Sequence, residues 1–278
     1  MDRPALFSAR SAVSALNVVA RTMESAPCLV VNNVSRVFGG LTAVDRVQLT
    51  IRRGEKRALI GPNGAGKTTL FNLISGEVPV SAGTIRLFGS DVTRLAPHRR
   101  AALGMARTFQ ITRLFPNLTV FENALLACEA LDARKFTMHR PLRTCAPLVA
   151  RAAALLEAFA LGPVSRELAR HLAYGEQRRL EVALALAGRP RLLLLDEPMA
   201  GLSGGERDAM RRLLEQLDPD IAVLLIEHDM DVAFALTGTV TVLYQGGVLA
   251  DGPTSDIAAN PRVQEVYLGV LRSEDVRK

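Results

Sequence analysis

The chain of 278 residues can bury one full hydrophobic core, and its composition excludes several classes of protein. Its three cysteines (Cys28, Cys128 and Cys145) lack zinc-site spacing and argue against a disulfide framework, and no run of about 18 apolar residues predicts a membrane-spanning helix. The net charge of +6 comes from scattered arginines without interleaved aromatic residues, which argues against nucleic acid as a partner and favours contact with an anionic membrane surface.

The first 27 residues are rich in Arg, Ser and Ala and carry no strand pattern. Their apolar stretch, Ala12 to Ala20, is short and interrupted by Ser14 and Asn17, which argues against a targeting segment. We expect residues 1–27 to be a flexible extension, with a start at Met23 as the alternative.

Two segments, residues 28–55 and 84–89, have the composition and alternation of half-buried strands. Val30, Asn32 and Val34, for example, are spaced by two residues and would therefore share one face of an extended chain. The sequence therefore predicts a small antiparallel sheet in the first third of the chain.

A glycine-rich loop lies between a β-prone run, Arg57–Ile60, and a segment with helical spacing, Leu70–Ile74. The loop matches G-x-x-x-x-G-K-[ST] and consists of Gly61, Pro62, Asn63, Gly64, Ala65, Gly66, Lys67, Thr68 and Thr69. In such loops the backbone N–H groups and a helix N-terminus surround phosphate oxygens, and a lysine adds a full positive charge. We predict that the loop binds a nucleoside triphosphate, with Lys67 on the phosphates and the Thr68 hydroxyl on Mg²⁺.

An unbroken apolar run, Leu192–Leu195, ends in two carboxylates, Asp196 and Glu197. Strands buried on both faces of a parallel sheet have this pattern, and their carboxyl ends form the ligand-binding edge of open α/β folds. At that edge Asp196 can hold Mg²⁺ through water, while Glu197 can orient or deprotonate an attacking water. The predicted reaction is therefore hydrolysis of the triphosphate.

Another apolar run, Ile221–Ile226, ends in Glu227, His228 and Asp229. The His228 imidazole would lie at the same sheet edge, where it can hydrogen-bond the γ-phosphate or the attacking water. A purely structural role for this histidine is the alternative.

The segment between Gln110 and Ala187 is mostly helical in pattern, and residues 132–148 within it form a basic connector containing prolines. A hairpin is predicted from Val240 to Leu249. Together with the buried runs, these features predict an α/β fold with a parallel, helix-flanked core sheet and flanking antiparallel strands.

The order and spacing of these motifs resemble the ATP-binding subunit of an ABC transporter over residues 28–270. The resemblance implies a P-loop NTPase of ABC type, with an antiparallel β subdomain and a helical subdomain at about residues 111–187 that bears the signature. Residues 271–278 would then be a C-terminal tail.

The same resemblance assigns further site residues. It implies that Phe38 stacks on adenine, and that Gln110 reaches Mg²⁺ and links the site to the segment that contacts the membrane partner. It implies that the signature residues Tyr174, Gly175 and Glu176 bind the nucleotide of a second cassette in a dimer.

Two segments depart from the family pattern. The usual signature is Leu-Ser-Gly-Gly-Gln, but Ala173 and Tyr174 replace its serine and first glycine, so the serine hydroxyl that would reach the γ-phosphate is missing. Ser203 stands where the family commonly has Asp. Backbone N–H groups at Gly175, where a helix is expected over residues 176–187, can still bind an anion.

The altered signature and the segments 113–123, 225–230 and 266–269 resemble the subfamily for branched-chain amino-acid uptake and its urea and short-amide relatives. This implies the ATP-hydrolysing subunit of an importer of branched-chain amino acids or a related small polar solute. The alternative is an ABC ATPase of a lipid or envelope exporter, or one that assembles a scaffold without transport, since both share every nucleotide motif.

The resemblance also implies partners and location. The implied partners are integral-membrane permease subunits, a second ABC ATPase subunit in a homo- or heterodimer and, indirectly, a solute-binding protein, and the implied cofactors are ATP and Mg²⁺. The subunit would be cytoplasmic and peripheral on the inner face of the cell membrane. The apolar turn Leu114–Leu118, including Phe115, is predicted to dock the permease, with capping of the helical subdomain as the alternative.

Overall fold

The computed structural model describes residues 27–108, 114–130 and 145–268. Several sequence predictions fall outside the described residues: the extension up to residue 26 with Met23, the role of Gln110, most of the 132–148 connector and the 271–278 tail. Within the described ranges, no helix combines the length and apolar character needed to cross a bilayer.

The described chain contains both strands and helices. The strands are β1 (Pro27–Phe38), β2 (Leu41–Arg52), β3 (Lys56–Ile60), β4 (Ala82–Leu87), β5 (Ser90–Asp91), β6 (Met105–Arg107), β7 (Leu192–Asp196), β8 (Ala222–Ile226), β9 (Thr239–Tyr244) and β10 (Gly247–Pro253). The helices are α1 (Lys67–Ser75), α2 (Pro97–Ala102), α3 (Val120–Glu129), α4 (Ala146–Ala158), α5 (Tyr174–Leu186), α6 (Gly204–Glu215), α7 (Met230–Leu236), α8 (Thr254–Ala258) and α9 (Pro261–Leu268), with a 3-10 turn at Ala169–His171.

The core sheet has six strands in the order β10-β9-β3-β8-β7-β6. Neighbouring strands from β9 to β6 are parallel, and β10 pairs antiparallel with β9 to form the predicted hairpin. The parallel, helix-flanked core that the sequence predicted is confirmed. Its parallel arrangement brings the carboxyl ends of β3, β7 and β8 to one edge.

The two central strands β7 and β8 are buried over their whole length. Leu192 and Leu194 pack with α1 and the antiparallel sheet in one core. Leu193 and Leu195 pack with α3, α4 and α5 in a second core on the opposite face. Because both faces are covered, the strand has no polar alternation, which explains the unbroken apolar run.

The second sheet is antiparallel, in the order β2-β1-β4-β5, as predicted. The expected alternation in β1 is wrong at its start, because Leu29 and Val31 are buried and Val30 is only partly covered. A register shift between Val31 and Val34, with Asn33 in the left-handed region at φ 49°, returns Val34 to the buried face.

Two helices begin earlier than the sequence indicated. Helix α4 starts at Ala146, inside the expected 132–148 connector, because Pro147 is tolerated in a first helical turn, where a missing N–H costs no hydrogen bond. Helix α5 starts at Tyr174, two residues before the expected start, and the Glu176 carboxylate accepts the Ala173 N–H at 3.0 Å.

Buried Arg100 fixes the C-terminal end of the glycine-loop helix α1. Its guanidinium donates to the carbonyls of Leu73 at 2.8 Å and Ile74 at 2.7 Å, and also to those of Leu95 and Thr93. Burial lowers the pKa of Arg100 to about 10. A cation at a helix C-terminus satisfies carbonyls that lack intrahelical partners, so this residue holds the far end of the helix in place.

Candidate functional site

The glycine-rich loop joins β3 to α1, the strand–loop–helix setting that the sequence predicted. Gly61, Gly64 and Gly66 have φ of 148°, 79° and 101°. A Cβ on Gly61 would clash with the Leu243 carbonyl, and one on Gly66 would clash with the Ala43 carbonyl of β2. Glycine is therefore required both by backbone conformation and by neighbouring strands that hold the loop in shape.

The loop presents a mixture of covered and open residues. Gly61, Ala65 and Lys67 are buried. The residues open to solvent, in part or largely, are Pro62, Asn63, Gly64, Gly66, Thr68 and Thr69. The Thr68 hydroxyl lies in the first turn of α1, where helix N–H groups lack backbone partners and favour anions.

Lys67 is only 6% exposed, and its Nζ donates to the carbonyls of Gly61 at 2.6 Å and Pro62 at 3.0 Å. Burial lowers the pKa of this lysine, while the negative charges of Glu197 and Asp196 raise it. The Lys67 ammonium therefore interacts electrostatically with both carboxylates.

Asp196 ends β7 and is 2% exposed. Its Oδ2 lies 3.3 Å from the Arg107 guanidinium, whereas its Oδ1 has no hydrogen-bond partner among the described residues. Burial raises the pKa of Asp196, and the charge of Arg107 opposes that rise. A buried carboxylate oxygen without a partner is costly unless a cation or donor approaches it.

This oxygen suits Mg²⁺, which binds through one or two protein oxygens together with substrate phosphates. No cluster of three His, Cys, Asp or Glu side chains suited to a metal occurs within the described ranges. Asp196 and the Thr68 hydroxyl therefore fit a magnesium ion held largely by phosphate, while Gln110 lies outside the described residues.

Glu197 and His228 come together as the sequence predicted for the ends of β7 and β8. The His228 Nε2 lies 2.6 Å from Glu197 Oε1, and the carboxylate side chain is 15% exposed. Glu197 has a φ of 50°, a left-handed conformation that is uncommon outside glycine and that often marks functional sites. The imidazole thus contacts the carboxylate directly and fixes its orientation.

Arg107 is a site residue that the sequence reading did not single out. At the end of β6 it donates to Asn72 Oδ1 at 2.7 Å and Ser75 Oγ at 2.9 Å, both on α1, and it pairs with Asp196 on β7. The one sequence feature that could have indicated Arg107 is its position at the end of a short β-strand, β6. Its side chain links the helix of the glycine loop to the carboxylate strand.

Phe38, the residue expected to stack on adenine, is 43% exposed at the end of β1, so it is not a core residue. The Arg36 guanidinium lies 4.4 Å from the centre of its ring. In β2, the strand after Phe38, the Ala43 carbonyl lies next to Gly66. The hairpin that carries Phe38 therefore lies beside the glycine loop.

The expected signature residues lie elsewhere, at the start of α5. Among the described contacts, Tyr174 and Gly175 touch the segment 200–206 that follows β7, and Glu176 caps its own helix. No hydrogen bond between these residues and the glycine loop is present in the described parts of the chain.

Comparison with known proteins decides the family. A sequence model described as "ABC transporter" matches residues 44–200, more than half of the chain. The chain belongs to the ABC transporter family. A second model, described as "Branched-chain amino acid ATP-binding cassette transporter", matches residues 248–271 at the C-terminal end of the cassette.

Curated relatives and solved structures agree with this assignment. The cassette is 40% identical over 252 residues to the high-affinity branched-chain amino acid transport ATP-binding proteins BraF of Pseudomonas aeruginosa and LivG of Escherichia coli, covering 88% of this chain and 99% of each relative. It also resembles a crystal structure of the ADP conformation of an ATP-binding cassette of an ABC transporter, with a TM-score of 0.76 and 28% identity over 87% of this chain and 99% of that one.

The cassette is therefore an ATP-binding, ATP-hydrolysing subunit of a transporter, with the fold of ABC-type P-loop NTPases. In this fold the glycine loop, the carboxylate pair and the histidine follow β3, β7 and β8 at one edge of the core sheet.

Buried Glu227, beside His228, was not assigned a role from the sequence. It is 4% exposed, and its Oε1 accepts the Met199 N–H at 3.2 Å. Burial raises the pKa of this carboxyl to about 7, and the nearby charge of Glu197 adds to the rise. The carboxyl joins the end of β8 to the segment that follows Glu197.

We predict that Glu197→Gln abolishes turnover while leaving ATP affinity near that of the wild type. The amide cannot accept a proton from water, so ATP hydrolysis by the assembled transporter should fall about 100-fold or more. Lys67 and Asp196 keep their contacts in the variant. Glu215→Gln, an exposed change on α6, is the matched control. Near-normal hydrolysis by Glu197→Gln would show that Glu197 is not the base.

We also predict a pH-dependent stability effect at Glu227. Because the folded-state pKa is raised from 4.5 to about 7, stability from the protonated carboxyl is fully present below pH 4.5 and is lost as pH rises through 7. The loss is at most about 3 kcal/mol. Urea unfolding at pH 5 and pH 8 should show Glu227→Gln gaining stability relative to wild type at the higher pH.

The exposed Glu167 provides the control for this experiment, since its carboxylate is solvated before and after unfolding. Glu167→Gln should leave the stability difference between the two pH values as it is in the wild type. An identical pH profile for wild type and Glu227→Gln would contradict the assignment.

Proposed function

We propose that this ABC cassette energises uptake of branched-chain amino acids or a related small polar solute. The pairing of Glu197 with His228 beside the phosphate loop supports the hydrolytic part of the proposal. The C-terminal match over residues 248–271 and the names of relatives 40% identical to the chain support the cargo. The solute itself would be bound by partner subunits, including a separate solute-binding protein.

Each predicted site residue has a role in this proposal. Phe38 stacks on adenine, and residues 61–69 bind the phosphates through backbone N–H groups and the Lys67 ammonium. Thr68 and Asp196, with Gln110, would hold Mg²⁺, and the bound ion would neutralise phosphate charge. The unpartnered Oδ1 of Asp196 supports this assignment.

Hydrolysis needs a base and an oriented water. In the proposed step Glu197 accepts a proton from water as the water oxygen bonds to the γ-phosphorus and the bond to the departing ADP oxygen breaks. His228 donates its Nε2–H to the ionised Glu197 carboxylate and so fixes the base beside the γ-phosphate region. The 2.6 Å contact between the two side chains supports their acting together.

A second cassette completes the site. Tyr174, Gly175 and Glu176 of one copy would face the phosphates bound by the other, so that ATP closes a dimer and hydrolysis reopens it. The placement of these residues away from their own phosphate loop supports this arrangement.

The permease is proposed to dock near the start of α3. Phe115 is 58% exposed, and its backbone is held by the Asn123 side chain, which bonds both its N–H and its carbonyl. A largely apolar cavity of about 370 Å³ lies between α2, β6, α3 and α5, with Ala101, Ala127 and Leu184 in its wall. An apolar helix from the permease would pack on Phe115 and hold the cassette at the inner face of the membrane, and the cavity offers a further apolar surface on the same helical subdomain.

We predict that Phe115→Asp preserves ATP binding by the free subunit but abolishes solute uptake and co-purification with the permease. A charge on the docking surface would have to be desolvated, whereas the nucleotide site lies on other elements. Val248→Asp, on the partly exposed strand β10, is the control. Retained assembly and leucine uptake by Phe115→Asp would contradict the docking assignment.

A further inference from the structure

The altered signature of this cassette contacts the loop after β7 in the same chain. The Tyr174 hydroxyl donates to the Ala200 carbonyl at 3.1 Å, and it accepts a hydrogen bond from Arg178 Nε at 2.9 Å. Residues 200–203, here called the D segment, follow Asp196 and Glu197 after two intervening residues. One phenol therefore joins the start of α5 to the segment that leads away from Glu197.

A buried ion pair fixes the direction of this phenol. Arg178 and Glu181 are 9% and 8% exposed in their side chains, and they form a 2.9 Å contact. Burial by itself would lower the pKa of Arg178, but the hydrogen bonds to Glu181 and Tyr174 raise it overall. Since a guanidinium can only donate, the Tyr174 oxygen must accept from it and direct its own hydrogen to Ala200.

Gly201 and Gly175 allow the start of α5 to lie close to the D segment and to α6. Gly201 has a φ of 75°, and a Cβ there would lie 3.0 Å from the Tyr174 ring. On the other side, a Cβ on Gly175 would clash with the Glu206 carboxylate. A side chain at Gly201 would therefore press on the Tyr174 ring, and one at Gly175 would displace the Glu206 carboxylate.

Glu206 forms a second link between the same two segments. Its carboxylate accepts from the Ser203 N–H at 2.9 Å and the Ser203 hydroxyl at 2.7 Å, which caps α6. The Ser203 side chain, the Ser203 amide and the Gly175 N–H all lower the pKa of Glu206. The carboxylate thus bridges the first turn of α6 and the first turn of α5.

We propose that Tyr174 is a positioning residue that locks the signature turn to the D segment of its own cassette. The signature has no serine hydroxyl, so its contact with the γ-phosphate bound by a partner cassette depends on backbone N–H groups alone. Such donors bind well only when their geometry is fixed beforehand. This inference rests on the proposed two-cassette site and names what orders one half of it.

A purely structural role for the Tyr174 hydroxyl predicts instead that removing it lowers the unfolding midpoint. Tyr174 is 44% exposed, so Tyr174→Phe removes one hydroxyl at the surface and keeps the ring that packs on Gly201. If the hydroxyl orders the signature turn for a partner, the variant should keep its stability and its monomeric ATP affinity. Only the association of two cassettes should weaken.

The experiment uses the full-length chain with Glu197→Gln as the parent, so that bound ATP is not consumed. Dimer formation is followed by light scattering during titration with Mg-ATP, and ATP affinity is measured separately at dilutions where the chain is monomeric. Adding Tyr174→Phe should raise the ATP concentration for half-maximal dimer about fivefold, the effect of one hydrogen bond. Monomer affinity and the unfolding midpoint should stay as in the parent.

Matched variants separate the outcomes. Glu206→Gln should shift dimer formation in the same direction as Tyr174→Phe, and Glu215→Gln, on the exposed end of the same helix, should not. Unchanged dimer formation by Tyr174→Phe, or a fall in its unfolding midpoint that accounts for the shift, would overturn the inference. A parent that stays monomeric with ATP would overturn a two-cassette site formed by two copies of this chain, and this inference with it.

Discussion

The nucleotide site depends on keeping one buried carboxylate charged at the end of β7. Removing Asp196 from water disfavours its charge, which is why burial raises its pKa. Arg107 offsets part of this cost through Oδ2 and leaves Oδ1 without a partner among the described residues. Since a buried charge is tolerated only when it is paired, the remaining oxygen is a site where binding a cation relieves an existing cost.

The same arginine makes the arrangement rigid. Arg107 also bonds Asn72 and Ser75 of α1, so the carboxylate strand and the helix of the phosphate loop are held by one guanidinium. Buried Arg100 holds the last turn of the same helix through the Leu73 and Ile74 carbonyls. Both arginines therefore fix the C-terminal half of this helix, and Arg107 ties it to Asp196, as a preorganised binding site requires.

Strand β7 also connects the carboxylates to the signature turn. It ends at Asp196, and the chain then runs through Glu197 and past Met199, whose N–H bonds to Glu227 just after β8, to the contact with Tyr174. Only two residues separate Glu197 from the D segment. In the proposed dimer, a shift at the γ-phosphate can thus reach the signature turn through a short, hydrogen-bonded stretch of chain.

The sequence was sufficient for the elements whose patterns are local. The glycine loop has its own signature, and strands buried on both faces carry an apolar run whose end marks the sheet edge, so Lys67, Asp196, Glu197 and His228 could be placed together. The fold class followed from the same runs.

Other features depend on tertiary contacts that no local pattern encodes. Strand β6 has three residues, too few for a periodic signal, so buried Arg107 resembled any surface arginine. The links of Tyr174 and Glu206 depend on how α5 meets the D segment. The start of α5 was misplaced because Ala173 supplies no capping side chain, and β1 was misread because a register shift interrupts its alternation.

The most direct test of this account is the metal dependence of ATP binding in Asp196→Asn. The amide removes the charge but keeps the size of the side chain, so ATP affinity measured in EDTA should match the wild type. In excess Mg²⁺ the variant should bind at least about tenfold more weakly than the wild type. Equal affinities in Mg²⁺, or an equal loss in Mg²⁺ and EDTA, would contradict the claim that the buried Asp196 carboxylate is the protein's anchor for the metal–nucleotide complex.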